Sequence, residues 1–323
     1  MAETINDEPV GGALTSPELL IRGTFIHLPG VGPRTEEGLW RQGITSWREF
    51  VVTPKVRGMS PARKAMLDRA LGEAEEALSK GRYDELVRKF PSGELWRLLP
   101  LLAPGARYLD IETEGLTRTA LTTVVGISRP GAGGMISKDG LVHRALIRNI
   151  DLTAEEIAKA LSGATVIVTF NGSTFDLPVL RREFGDILPN IPHIDLRHLS
   201  RRAGLTGGLK SLEHRLGIHR DAEVQMLAGD DAVRLWRVWD RKGHKRALEL
   251  LVDYNKEDVM NLAPLSMVLY QMMGIRHITK VRSVAGQGPA PKRPGPRIIQ
   301  RIDDPNGPVQ SHLLQSSSPQ DPA

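Results

Sequence analysis

The stretch Arg107-Tyr108-Leu109-Asp110-Ile111-Glu112-Thr113-Glu114-Gly115-Leu116 decides the fold, because it predicts a buried strand that ends in acidic side chains. Side chains alternate across a strand, so Asp110 and Glu112 share one face while Ile111 lies on the other. Two carboxylates on one face of a buried strand repel each other and lose hydration unless a cation or a bound proton offsets their charge. The pair therefore predicts a metal site; two carboxylates in a solvated turn are the alternative.

Composition narrows the class of protein. The chain has 323 residues, enough for one sizeable core and a smaller module, and its formal net charge of +5 permits a polyanionic partner. It contains no cysteine, which excludes disulfides and thiolate-bound zinc or iron–sulfur sites. No apolar run approaches the roughly 20 residues of a membrane span, and the polar N-terminus lacks the pattern of a signal peptide. We therefore expect a soluble, cytoplasmic protein.

A glycine-containing hairpin, Leu28-Pro29-Gly30-Val31-Gly32, lies near the N-terminus and precedes a helix that we expect to begin at Pro33. The glycines allow a tight turn and present amides beside the positive end of that helix, where phosphates bind readily. Arg34 adds a positive charge on the same side. The hairpin resembles that of a helix-hairpin-helix module, which implies contact of Gly30, Val31, Gly32 and Arg34 with a nucleic-acid backbone. A plain corner in which the glycines only pack is the alternative.

Changes in composition predict four regions. We expect disorder over residues 1–16, a helix-hairpin-helix domain over 17–92, an α/β domain over 93–275 and a basic, proline-rich disordered tail over 276–323. The tail either attracts nucleic acid or is an inert solvated segment.

The middle of the chain predicts a mixed sheet. Residues 122–128 are β-branched and apolar, another strand begins at 135–137, and 141–147 follows a turn, which together indicate an antiparallel meander. A helix then follows, with Thr153 as N-cap and Glu156 as its capping-box partner. The apolar run 164–170 is typical of a strand buried on both faces. Strands followed by alternating helix and strand indicate an α/β fold.

The loop after that run carries further candidate site residues. Ligands of open α/β sheets usually bind beyond the carboxyl ends of the strands, so Asp176 lies near Asp110 if the two strands are neighbours. Asn171 can form a tight turn, and Phe175 offers an aromatic face for a base. Turn formation by Asn171 and core packing by Phe175 are the alternatives. Asp195, within a short strand expected at 193–196, is either a fifth acidic ligand of the metal site or the cap of a helix expected over 196–202.

Two candidate residues lie on one face of a long helix that we expect from Ala247 onwards. Tyr254 and Asp258 are four residues apart, so the phenol lies one turn from the carboxylate. The phenol either positions a water molecule or covers the edge of the core. Earlier, Lys210 begins a helix in a basic passage, where it either touches a phosphate or belongs to a solvated run of charges.

Three motifs in this order resemble the exonuclease motifs of DEDD-type 3′–5′ exonucleases: Asp110-Ile111-Glu112, Asn171-Gly172-x-x-Phe175-Asp176 and Tyr254-x-x-x-Asp258. The context, with Trp96-Arg97 before the first motif and Leu209-Lys210-Ser211-Leu212-Glu213 after the second, looks like the YprB-like group of predicted exonucleases. The resemblance covers roughly residues 94–273. It implies an RNase H-like mixed sheet flanked by helices, preceded by the small helical domain.

The resemblance also implies a mechanism. Asp110, Glu112, Asp176 and Asp258 hold two Mg²⁺ or Mn²⁺ ions, with Asp110 bridging them, and Tyr254 orients the attacking water. Asn171, Phe175 and Lys210 contact the nucleic acid. The expected activity is removal of nucleoside monophosphates from 3′ ends, with DNA the favoured substrate. An RNase H-like structure-specific endonuclease and a non-catalytic nucleic-acid-binding adaptor are the alternatives.

Overall fold

A computed structural model of the chain describes residues 17–115, 117, 119–131 and 138–287. The disorder predicted for 1–16, the strand start predicted at 135–137 and the part of the tail after 287 lie outside the described residues.

The sheet has five strands in the order β3-β2-β1-β4-β5. The strands are β1 (Ala106–Thr113), β2 (Thr122–Pro130), β3 (Leu141–Ile147), β4 (Val166–Thr169) and β5 (His193–Asp195). β1 pairs antiparallel with β2, and β2 pairs antiparallel with β3. On the other side, β1 pairs parallel with β4, which pairs parallel with β5. The mixed α/β sheet predicted from the sequence is confirmed.

Helices precede the sheet and flank it. Those before the sheet are α1 (Pro17–Arg22), α2 (Pro33–Trp40), α3 (Trp47–Val52), α4 (Pro61–Ser79), α5 (Tyr83–Lys89) and α6 (Leu99–Leu102). Those within and after the sheet are α7 (Ala154–Leu161), α8 (Asp176–Phe184), α9 (Leu196–Arg202), α10 (Leu209–Leu216), α11 (Ala222–Gln225), α12 (Gly229–Lys242) and α13 (Lys245–Ala285). Short 3-10 turns cover Ser92–Leu98, Ala103–Gly105 and Lys138–Gly140. None of the helices in the described ranges is long and apolar enough to cross a membrane.

The start of α7 forms only half of the predicted capping box. The Thr153 hydroxyl accepts a hydrogen bond from the amide of Glu156 at 3.2 Å, as an N-cap does. The Glu156 carboxylate forms an ion pair with Arg144 instead of returning to the Thr153 amide. The prediction of a reciprocal box is wrong because a cation on the neighbouring strand β3 competes for that carboxylate.

One hydrophobic core joins the helices before the sheet to the sheet itself. Its buried members include Phe25 and Trp40 of the N-terminal region, Tyr108 of β1, and Leu262 and Leu269 of α13. Because this core is continuous, the N-terminal helices and the sheet pack as one body. The separate domain predicted over 17–92 stays a prediction.

The last helix extends further than predicted. α13 ends at Ala285, so the predicted domain end at 275 falls inside it. Contacts with the N-terminal helices explain the extension: the His277 ring lies 5.5 Å from the Trp40 ring, and Lys280 pairs with Glu37 at 2.7 Å. These partners are distant in sequence, so local composition gave no sign of them.

Candidate metal centre

Three acidic side chains meet where β1 passes under α13. One carboxylate oxygen from each of Asp110, Glu112 and Asp258 lies within 4.8 Å of the other two. Asp110 and Glu112 share a face of β1, as their alternate spacing predicted, and Asp258 comes down onto that face from α13. Glu112 and Asp258 are buried and Asp110 is half-buried. The alternative of two carboxylates in a solvated turn is therefore wrong.

Asp176 joins the cluster from the loop after β4. The parallel pairing of β1 and β4 brings it beside β1, where its Oδ1 accepts a hydrogen bond from the Ile111 amide at 3.0 Å. That amide lies between the two acids of β1 in sequence. Asp176 is buried, and it stands beside the group of three rather than within it.

Burial raises the pKa of all four carboxyl groups. For Asp110 and Glu112 the loss of hydration is the largest cause, and the neighbouring carboxylates raise the pKa further. Burial raises the pKa of Asp176 to about 7, against hydrogen bonds from its own amide and that of Ile111. Burial also raises the pKa of Asp258, although Arg220 opposes the shift. Carboxyl groups with raised pKa values of this kind would be stabilised in their ionised form by a bound cation.

The donor set fits hard divalent cations. Every candidate ligand is a carboxylate oxygen, and Mg²⁺ and Mn²⁺ prefer oxygen ligands while they keep several water molecules. The short separation of the Asp110, Glu112 and Asp258 oxygens allows one ion to bind all three.

Two further side chains of α13, Tyr254 and Asn255, contact the cluster. Tyr254 is buried, its pKa is raised by burial and then by Asp258, and its hydroxyl donates to Asp258. Asn255 was missed by the sequence analysis. Its Nδ2 donates to Asp110 Oδ2 at 3.1 Å, and it also hydrogen-bonds Glu112. Because Asn255 lies three residues before Asp258, helical spacing alone could have identified it.

Close approach of α13 to the sheet explains a glycine in β2. Gly126 is the antiparallel partner of Asp110, and a Cβ built there would lie 2.0 Å from Asn255 Oδ1. The absence of a side chain at Gly126 thus allows Asn255 to reach the cluster.

A second missed residue is Arg220, which precedes α11. Its Nη2 contacts Asp258 Oδ1 and also donates to Glu213 Oε1 at 2.9 Å. Its Nε donates to the other oxygen of Glu213. No spacing rule relates Arg220 to Asp258, 38 residues later, so only the fold shows this pair.

Lys210 also lies beside the cluster. Its Nζ is 4.7 Å from the centre of the Tyr254 ring, a cation–π contact. Burial lowers the pKa of Lys210, and the charge of Arg220 lowers it further. The alternative that Lys210 belongs to a solvated run of charges is thus not supported, since the residue is half-buried and its Nζ is buried against Tyr254.

The loop between β4 and α8 is anchored internally. Asn171 has a positive φ of 70°, and its Oδ1 accepts a hydrogen bond from Arg197 at 2.6 Å. Phe175 packs against the core cluster that contains Ile111. Asp195 caps α9 by accepting from the Arg197 amide at 3.0 Å. These contacts agree with the structural alternatives given for the three residues. Asn171 forms a turn, Phe175 packs in the core and Asp195 caps a helix.

The N-terminal hairpin has the predicted turn. Gly30 has a φ of 68°, and its carbonyl accepts a hydrogen bond from Arg63 at 2.8 Å. The Val31 amide donates a hydrogen bond to the Leu28 carbonyl within the turn. The prediction that this amide is free to bind a phosphate is therefore not supported. A Cβ at Gly32 would meet no atom within 4 Å, so packing does not require this glycine. Arg34 is exposed in the first turn of α2.

Comparison with known proteins identifies the family of the segment that holds this centre. A family model described as the RNase H superfamily matches residues 107–270. No curated protein and no solved structure matches the chain. The matched segment begins in β1, ends in α13 and includes all four acids, and it covers half of the chain. The chain therefore belongs to the RNase H superfamily.

Proposed function

We propose that the protein is a metal-dependent 3′–5′ exonuclease that hydrolyses phosphodiester bonds of nucleic acid, with DNA the favoured substrate. Members of the RNase H superfamily are generally nucleases. The observation that carries the proposal is the approach of Asp110, Glu112 and Asp258 within 4.8 Å, beside the buried Asp176. The order of the three motifs, and their resemblance to DEDD-type and YprB-like exonucleases, supports attack at a 3′ end.

Four carboxylates would hold two divalent ions, Mg²⁺ or Mn²⁺. Asp110, Glu112 and Asp258 supply closely spaced oxygens, and Asp176 supplies the oxygen that the Ile111 amide does not occupy. When bound, such ions stabilise the charge that develops on the attacking and leaving oxygens of a phosphoryl transfer.

The remaining side chains position the reactants. Tyr254 keeps its proton, because burial and the neighbouring carboxylates raise its pKa. Its hydroxyl donates to Asp258, and the phenol oxygen can accept a hydrogen bond from the attacking water, which suits the role of orienting that water. Lys210, whose ammonium lies over the Tyr254 ring, is placed to contact the substrate backbone.

The N-terminal hairpin would provide a second contact with the nucleic-acid strand, outside the cleavage site. The open space at Gly32, the start of α2 at Pro33 and the exposed Arg34 support a contact with backbone phosphates. Gly32→Glu tests this contact without strain, because Gly32 has an ordinary φ and free space around it. We expect weaker strand binding and an unchanged affinity for Mn²⁺; equal strand binding would argue against the hairpin as a contact.

The experiment that tests the proposal is a cleavage assay on end-labelled single- and double-stranded DNA and RNA with Mg²⁺ or Mn²⁺. We expect 5′-labelled strands to shorten stepwise from the 3′ end and 3′-labelled strands to release a labelled mononucleotide. Asp110→Ala should reduce the rate roughly 10³-fold or more. Asp186→Ala, at an exposed aspartate outside the cluster, is the matched control and should keep the wild-type rate.

Two outcomes would redirect the proposal. Cuts within a circular single strand would indicate an endonuclease instead. Metal-independent binding of nucleic acid without hydrolysis on any substrate would indicate a non-catalytic adaptor, despite the presence of all four acids.

A further inference from the structure

Two cationic side chains next to the acidic cluster have nitrogen atoms without an acceptor. Arg220 Nη1 and Lys210 Nζ are buried atoms with no hydrogen-bond partner among the described residues. Buried donors of this kind are rare in folded proteins, and each one calls for an explanation such as a missing ligand. Both belong to the same neighbourhood, because Arg220 contacts Asp258 while Lys210 lies over Tyr254, one helical turn away.

Arg220 is held in a fixed orientation. Its side chain is 4% exposed, and that of its partner Glu213 is 2% exposed. Glu213 accepts from both Nε and Nη2, the paired geometry that fixes the plane of a guanidinium group. Nη2 also reaches Asp258, so Nη1 is the one terminal nitrogen left over. A buried arginine held at two nitrogens therefore keeps its third, Nη1, without an acceptor among the described residues.

The local charges favour a single anion. The four carboxylates of the cluster carry about −4, which two divalent ions would neutralise, and Arg220 is neutralised by Glu213. Other acids nearby have their own partners: Asp231 pairs with Arg234 at 3.3 Å and Glu257 with Lys138 at 2.6 Å. The ammonium of Lys210 then remains as about one positive charge, which matches one phosphodiester group.

We propose that Arg220 Nη1 and Lys210 Nζ form an anion site that binds the non-bridging oxygens of the phosphate at the strand end. Glu213 is the positioning residue that holds Arg220 there. This inference rests on the proposed nuclease function, and it assigns to that site a recognition element outside the three motifs.

Calorimetry on the full-length protein tests the site. Mn²⁺ is titrated into the metal-free protein first, and thymidine 5′-monophosphate is then titrated into the Mn²⁺-loaded protein, with thymidine as the ligand without phosphate. We expect wild type to bind the monophosphate at least tenfold more tightly than thymidine. Arg220→Gln and Lys210→Gln should each remove most of that difference, and their Mn²⁺ affinity should stay within threefold of wild type.

A matched control and a second variant keep the result interpretable. Arg234→Gln removes an exposed arginine that also pairs with an aspartate, and it should bind monophosphate as wild type does. Arg220→Lys keeps the charge with fewer donors, so its affinity should lie between those of wild type and Arg220→Gln. If Arg220→Gln fails to fold, Lys210→Gln carries the test, because no hydrogen bond to the described residues is lost there.

Three calorimetric results would overturn the anion site. They are equal binding of monophosphate and thymidine by wild type, unchanged monophosphate binding by both glutamine variants, and a joint loss of Mn²⁺ and monophosphate affinity in Arg220→Gln. The last would mean that Arg220 only holds Asp258 in place. Monophosphate binding without cleavage of any nucleic acid would remove the nuclease function but keep the site. Normal cleavage of nucleic acid by both glutamine variants would remove the anion site but keep the nuclease function.

Discussion

Two aspartates at the same edge of the sheet have opposite electrostatic properties. Asp176 follows β4 and Asp195 is the last residue of the neighbouring parallel strand β5. Both lie at the start of a helix, and their exposed fractions are 3% and 8%. Yet the pKa of Asp176 is raised to about 7, while the pKa of Asp195 is lowered below its usual value.

Hydrogen bonding accounts for the difference. Burial raises the pKa of both groups, but Asp195 accepts hydrogen bonds from the amides of Asn171, Ser173 and Arg197 and from the Ser173 hydroxyl, and these together outweigh burial. Among the described residues, Asp176 accepts hydrogen bonds only from the Ile111 amide and its own, and the charges of Asp195 and then Asp258 raise its pKa further. A buried carboxylate satisfied by donors is thus a structural element, whereas one with too few donors is available to a cation.

The largest expected effect distinguishes Asp110, in the acidic cluster, from Asp195, which caps α9. Asp110→Asn removes a carboxylate of the proposed metal site that Asp195 cannot replace, so hydrolysis should fall roughly 10³-fold or more and Mn²⁺ affinity should fall with it. Asp195→Asn should keep Mn²⁺ affinity within a few-fold of wild type, as measured by calorimetry. A loss of Mn²⁺ affinity in Asp195→Asn equal to that in Asp110→Asn would mean that Asp195 is a fifth ligand after all.

The next effect concerns pH. Because the folded-state pKa of Asp176 is about 7 against 3.8 for the unfolded chain, the folded protein holds a proton that the unfolded chain has released between these values. This stabilisation is complete below about pH 4 and is lost progressively as pH rises to about 7, on the order of 4 kcal/mol in total.

The measurement compares metal-free wild type with Asp176→Asn by urea unfolding at several pH values. The asparagine has no charge to lose, so the variant should gain stability relative to wild type as pH rises. A constant difference between pH 4.5 and 7.5 would show that Asp176 is ionised throughout, as Asp195 is expected to be.

A smaller effect tests the cap itself. Asp195→Ala leaves the amides of Asn171, Ser173 and Arg197 without their acceptor, which should lower the free energy of unfolding by about 2 kcal/mol. Urea unfolding measures the loss, and the exposed Asp186→Ala is the control with no expected change. An equal stability of the two variants would mean that the loop is held by its other contacts.

The sequence predicts those parts of the site that depend on local periodicity. Alternation on a strand placed Asp110 and Glu112 on one face, and the parallel neighbour relation of β1 and β4 brought Asp176 to the end of β1, as expected. Tyr254 and Asp258 lie one helical turn apart, where spacing placed them. The resemblance to DEDD-type exonucleases relates these three motifs, which are far apart in sequence, to one site.

Features that depend on long-range packing were not predictable in the same way. The contact between Arg220 and Asp258 joins residues that no periodic pattern relates. The extension of α13 to Ala285 depends on packing of His277 against Trp40, at the other end of the chain. Likewise, the Glu156 carboxylate forms an ion pair with Arg144 on β3 and not a hydrogen bond with the Thr153 amide at the start of its own helix. In each case the deciding partner is distant in sequence.

The smallest expected effect concerns Asn255, which donates to Asp110 and Glu112 as the loop amides donate to Asp195. Asn255→Ala removes an orienting donor but no ligand, so Mn²⁺ affinity measured by calorimetry should fall about tenfold. Ser266→Ala is the control. Ser266 is another fully buried polar residue of α13, and its hydroxyl donates to the Ala263 carbonyl at 2.7 Å, away from the carboxylates.

Gly126→Ala tests the same donor from the opposite side of the interface. The added Cβ would lie 2.0 Å from Asn255 Oδ1, so Asn255 must move away from Asp110 while the cluster keeps all its carboxylates. If orientation by Asn255 matters, the loss of Mn²⁺ affinity should resemble that of Asn255→Ala, and the double variant should lose little more than either single one. Additive losses would mean that Gly126 acts on the packing of α13 rather than through Asn255. Wild-type affinity in Asn255→Ala would mean that the carboxylates are oriented by their strand and helix alone.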